Sequence, residues 1–183
     1  MKVKGNGKAA ILSREQLKLL FTEGLRSERD RALFGICLYT GCRVSEALGL
    51  HTTDIISGTI IFRKSTTKGK VKTRSMTIPL GLDNILAQYT PKPGVMFPGM
   101  RGVSEYLTRS AADKILKEAC QRIGLNGVST HSFRRTALTQ MSDAGTPLRH
   151  IQEISGHTDL ASLQRYLEVS DAQKLHALSA IGF

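Results

Sequence analysis

Between Gly58 and Leu80 the chain abandons helical spacing, and this one change limits its possible folds more than any other feature. GTIIFRK and TRSMTIPL are rich in β-branched residues and alternate in polarity, with TTKGK between them as a Gly-containing turn. Nearly everything else follows the helical period. One short β segment set into a helical chain defines an α+β class: a mostly helical domain with a small antiparallel β-sheet or hairpin.

The helices carry their own punctuation. Ser13-Arg14-Glu15-Gln16 has the form of a capping box and predicts a first helix through about Phe21. A second starts near Ser27, with Asp30 three positions on, and stops at Gly41; residues 44–50 continue helically. Pro79 and Gly81 close the sheet, LDNILAQY returns to helix, and PKPGVMFPGM is a loop. A helix from Thr108 or Ser110 ends at Gly124. The last third is wholly helical, over about 131–143, 147–155 and 160–167, with DAQKLHALSAI as a short terminal helix. The 183 residues make one ordinary domain over 11–183, and MKVKGNGKAA (1–10) reads as a flexible basic arm or linker.

Charge narrows the partners. Lys and Arg number 26 against 15 acidic residues, a net +11 that suits a polyanion, because neutralising phosphates and releasing counterions drives non-specific DNA affinity. Cys37, Cys42 and Cys120 are too few for a disulfide framework and read as buried free thiols. They share no ligand spacing with His51, His131, His150, His157 or His176, so no metal site is expected. No apolar run is long enough to cross a bilayer, and no signal-like start appears. A cytoplasmic, nucleoid-associated protein with no membrane contact is expected.

Four separated segments offer groups suited to a phosphate. In Thr40-Gly41-Cys42-Arg43-Val44-Ser45-Glu46, Arg43 and Glu46 stand three apart; a guanidinium holds phosphate oxygens bidentately, and Glu46 can orient it or a neighbouring base. Thr66-Thr67-Lys68-Gly69-Lys70 puts a lysine at a hairpin tip, within reach of a DNA groove. In His131-Ser132-Phe133-Arg134-Arg135 an imidazole and a guanidinium share one helical face, an arrangement suited to proton transfer beside a bound anion. In Gly156-His157-Thr158-Asp159 the histidine projects from a tight junction, Thr158 or Asp159 can cap the next helix, and Tyr166 follows nine residues later. Tyr39, Tyr89 and Tyr106 have no such setting. Each segment alone also fits a bland role: surface ion pair, solvated turn, helix cap or core tyrosine.

Their order and spacing carry more. T-G-x-R-x-S-E, a hairpin lysine, H-x-x-R, G-H and a tyrosine nine residues on resemble the tyrosine recombinase (phage integrase) family, from about Leu12 to the terminal helix. The resemblance implies that family's catalytic-domain fold and site-specific DNA cleavage and rejoining through a 3′-phosphotyrosyl bond, without metal, ATP or other cofactor. By motif, Tyr166 is the nucleophile, Arg43 and Arg134 clamp the phosphate, and Lys68 is the general acid. His131 is the general base, His157 a further hydrogen-bond donor, and Glu46 the supporting carboxylate. Lys64, Lys70, Lys72, Arg74 and Arg135 are expected to contact DNA, with a structural contact also open to Arg135, which replaces the second histidine of many members.

The family's separate N-terminal DNA-clasping domain has no counterpart here, so the sequence reads as a fragment or as a short, catalytic-domain-only member. Residues 170–183 resemble the element that members exchange between protomers on paired DNA sites; Leu175, Leu178, Ile181 and Phe183 would dock on a partner or fold back. Two other readings stand beside this one: a type IB topoisomerase-like relaxing enzyme and a non-catalytic DNA-binding regulator. The second would be expected to lack an active-site residue, and none of the matched positions is empty.

Overall fold

The computed structural model describes residues 9–63, 73–99 and 105–164, together with 174, 175, 178, 179 and 181. Helix α1 (Arg14–Leu19) starts as its capping box requires: Gln16 N donates to Ser13 Oγ at 3.2 Å and Ser13 N to Gln16 Oε1 at 2.9 Å. It passes directly into a π-helical turn, Leu20–Gly24, so the first helical segment outruns its expected end. Tertiary contact explains the extension, since Gly24 presses on α5 (Arg109–Arg122) and its carbonyl accepts from Arg122.

Helix α2 (Glu28–Thr40) is the axis of the core, with Leu33, Phe34 and Ile36 fully buried and Ser27 as its N-cap. It packs against α6 (Thr130–Asp143) and α4 (Leu80–Leu86). Phe133 of α6 stacks on Phe34 at 5.0 Å and meets Phe21 edge-on at 6.3 Å, a pairing that contributes about 1 kcal/mol beyond burial. Helix α2 ends at Gly41, whose φ of 59° places the carbonyl-bearing turn in the left-handed region. Short α3 (Val44–Leu48) follows at once.

Among the described residues the sheet has three antiparallel strands in the order β1 (Ile55–Ile56), β2 (Thr59–Phe62), β3 (Arg74–Thr77). Strand β1 was not expected. Ser57 and Gly58, with φ of 47° and 72°, form the two-residue turn that joins it to β2; a Ser-Gly pair between β-branched runs is its sequence signal. Register sets Ile60 opposite Met76 and Phe62 opposite Arg74. The basic hairpin segment carrying Lys64, Lys68, Lys70 and Lys72 lies outside the described residues. Beyond α6 come α7 (Leu148–Ser155) and α8 (Leu160–Gln164). Among the described residues no helix is long and apolar enough to cross a membrane. Cys37, Cys42 and Cys120 are buried and free.

Candidate active site

Two glycine junctions and one arginine form the site's inner wall. Helix α7 ends at Gly156 in the left-handed region (φ 67°), so Ser155 O points away from the helix and His157 turns inward. Arg134, on α6 and only 2% exposed, donates from Nη1 to Gly41 O at 2.6 Å and to Ser155 O at 2.9 Å. Its Nη2 lies 3.2 Å from His157 Nδ1 and 3.1 Å from Nε2. One guanidinium therefore clips the end of α2 to the end of α7. Ser155 Oγ lies 2.7 Å from His157 Nδ1 and Gln152 Nε2 donates to His157 O at 3.2 Å, which fixes ring and backbone together. Asp159 caps α8, accepting from Ser162 N at 2.7 Å.

Electrostatics follow from this burial. Desolvation, followed by Arg134 and Arg43, pushes the His157 pKa down to about 4, so the imidazole is neutral at physiological pH. Burial and then Arg43 lower Arg134 to about 10, which leaves it charged.

The opposite rim is looser. Arg43 precedes α3, and its backbone N–H donates to Glu46 Oε2 at 2.7 Å, so Glu46 caps the helix as well as facing the guanidinium. Arg43 Nη1 stands 3.8 Å from Glu46 Oε1, with the arginine side chain 27% and the glutamate 1% exposed. Arg74 brings a third guanidinium: Nη2 is 3.5 Å from Glu46 Oε2 and Nη1 donates to Ser155 O at 3.3 Å. Two arginines therefore pair with one buried carboxylate, whose charge also acts on Arg134. Together with His157, Arg43, Glu46 and Arg74 line a cleft of about 740 Å³ between β3 and α7.

His131 stands at the start of α6, exposed on one side. Partial burial, then Arg109, Arg134 and Arg43, lower its pKa, and Asp113 opposes them. It is neutral at physiological pH and can accept a proton. Arg109, at the start of α5, is a site neighbour that sequence reasoning missed; a helix-start arginine in a basic chain gives no signal until the fold brings α5 against α6.

The expected groups Arg43, Glu46, Arg134 and His157 meet here, with His131 close by. Tyr166 and Lys68 lie outside the described residues. Arg74, expected as a DNA contact, is about one-tenth exposed and lines the cleft wall, its guanidinium 4.7 Å from the ring of Phe62, its partner in register. Arg135 donates to Ala9 O at 2.6 Å, and Ala10 N reaches Gly127 O at 3.3 Å, so the arm is already anchored at residues 9 and 10. Tyr89 Oη donates to Met96 O and Tyr106 Oη pairs with His51, which occupies both hydroxyls elsewhere. Tyr39 also lines the cleft. Leu175, Leu178 and Ile181 are 64–71% exposed.

The architecture is one that solved recombinase catalytic domains share. XerA recombinase superposes over 98% of this chain and 66% of its own at a TM-score of 0.76 and 21% identity. The catalytic domain of bacteriophage HP1 integrase covers 87% of each chain at a TM-score of 0.67 and 25% identity. The chain belongs to the phage integrase family, whose model matches residues 11–173. Curated relatives include tyrosine recombinase XerC of Herpetosiphon aurantiacus, 31% identical over 160 residues, 83% of this chain and 52% of that protein. XerC of Corynebacterium glutamicum is 29% identical over 82% of this chain and 50% of its own length. The chain spans about half the length of the curated relatives it matches.

Proposed function

We propose that this chain cuts and rejoins double-stranded DNA at specific sites through a covalent bond to Tyr166. The observation that carries the reading is the meeting of segments far apart in sequence: Arg43, Glu46 and His157 line one cleft, and Arg134 lies behind them, bonded to His157. A phosphodiester placed there would have its non-bridging oxygens clamped by the two guanidiniums, where preorganised donors act on charge that grows in the transition state. His131, held neutral, takes the Tyr166 proton; the phenolate oxygen bonds to phosphorus; the 5′ oxygen leaves with a proton from Lys68. The 3′-phosphotyrosyl bond conserves the phosphodiester, and the reverse steps rejoin a strand. A free tyrosine titrates near 10, so the surrounding positive potential matters as much as the base.

Lys64, Lys70 and Lys72 extend this surface along the DNA backbone, and the +11 net charge supports steeply salt-dependent binding. Arg135 is read as the tether of residue 9 rather than as a phosphate contact. The exposed Leu175, Leu178 and Ile181 support exchange of segment 170–183 between protomers on paired sites. XerH, a structural neighbour at 23% identity and a TM-score of 0.72, was solved bound to its difH substrate. We place the activity in the cytoplasm, at the nucleoid.

The test is covalent trapping on nicked duplexes drawn from sequences flanking the gene, in EDTA, with mass spectrometry of the adduct. Tyr166→Phe should abolish the adduct and spare binding, and Tyr39→Phe should leave both intact. An adduct that survives Tyr166→Phe would sink the assignment.

A further inference from the structure

We propose that Arg74 is a positioning residue, holding Glu46 and the α7–His157 junction against the strand that follows the lysine segment; this rests on the recombinase reading above. Its side chain is about one-tenth exposed, so it is no surface cation. It lies over the Phe62 ring, reaches Ser155 O from Nη1, and faces Glu46 from Nη2. Ser155 O also accepts from Arg134, so two guanidiniums from different elements converge on the carbonyl immediately before Gly156 and His157.

The fit at this point is close. A Cβ built on Gly156 would run into Arg74 Nη1, so the junction approaches the arginine this closely only as glycine. Among the described residues Arg74 Nε and Nη2 are buried without hydrogen-bond partners, and Nη2 meets Glu46 only as an ion pair at 3.5 Å. In sequence, Arg74 opens β3 directly after the 64–72 segment carrying Lys68. Arg74 anchors both Glu46 and the junction that carries His157. Misplacing either by about 1 Å can cost roughly a hundredfold in rate.

The experiment compares Arg74→Met and Arg74→Lys with the unaltered chain by rate of adduct formation on nicked duplex, equilibrium DNA affinity, and NMR titration of His157. Among the described residues the groups acting on His157 include Arg134 from α6, Arg43 beside α3, Arg74 from β3 and its own neighbours Ser155 and Asp159, with Glu46 lining the same cleft. Arg74→Met should slow adduct formation roughly a hundredfold with affinity little changed, and should raise the His157 midpoint because a facing cation is gone. Arg74→Lys should recover part of the rate. Affinity falling in step with rate would overturn the proposal in favour of a direct DNA contact; an unmoved rate and His157 midpoint would overturn it outright. If the unaltered chain forms no adduct, the recombinase reading fails, and the His157 titration alone decides the role of Arg74. Should Arg74→Met unfold with Glu46 left buried, Arg74→Lys carries the same readouts.

Discussion

Arg134 and Arg43 read as equal halves of one clamp, yet they are built differently. Arg134 is 2% exposed and bonded to two backbone carbonyls, whereas the Arg43 side chain is 27% exposed and faces one carboxylate at 3.8 Å. The inner arginine is part of the fold before any ligand arrives. The outer one is held mainly by its own backbone cap. Preorganisation and adaptability are thus divided between the two walls, and a phosphate entering the cleft needs to order only one of them.

The sharpest way to break this contrast is Arg134→Ala. It should eliminate adduct formation and lower unfolding free energy by about 2–4 kcal/mol, because Gly41 O and Ser155 O lose a buried donor. Denaturant titration alongside trapping checks both. Arg43→Ala should slow cleavage about a hundred- to a thousandfold while leaving the denaturation midpoint nearly in place; a stability loss matching that of Arg134→Ala would erase the distinction.

A smaller effect separates the two glycines. Gly156→Ala should cost about 1–2 kcal/mol from backbone strain and more from contact with Arg74, whereas Gly41→Ala, with nothing nearer than 3.6 Å to its added carbon, should cost the strain alone. Equal losses in thermal midpoint would mean that Arg74 yields easily. The remaining test is the pH dependence of the inner wall. His157 titrates near 4 folded and near 6.5 unfolded, so its contribution to stability is complete above about pH 6.5 and fades as pH falls towards 4. His157→Asn should flatten the stability-pH curve in that window.

Helix ends were legible because their signals are local: Ser13 and Ser27 cap, Gly41 and Gly156 stop, as their positions in the chain foretell. The pairing of Arg43 with Glu46 was legible from spacing, although its geometry proved to be a helix cap rather than two residues on one helical face. The inward setting of Arg74 and the nearness of Arg109 to the site were hidden for one reason. Whether a basic side chain meets solvent or a site depends on what packs against it, and neither Phe62 below Arg74 nor α6 beside Arg109 is near enough in sequence to reveal this. The extra strand β1 was missed because two residues carry too little pattern, but its Ser-Gly turn was readable.

The double use of Arg134 also sets the order in which a site of this kind can decay. On the proposed function, a gene copy released from selection for strand cleavage would still be held to Arg134 by the need to fold, while Arg43 could drift with little effect on the abundance of the protein. A derelict copy of this domain should therefore lose its outer arginine first and persist as a folded, basic DNA-binding protein, with the inner wall intact as a remnant of the chemistry it once served.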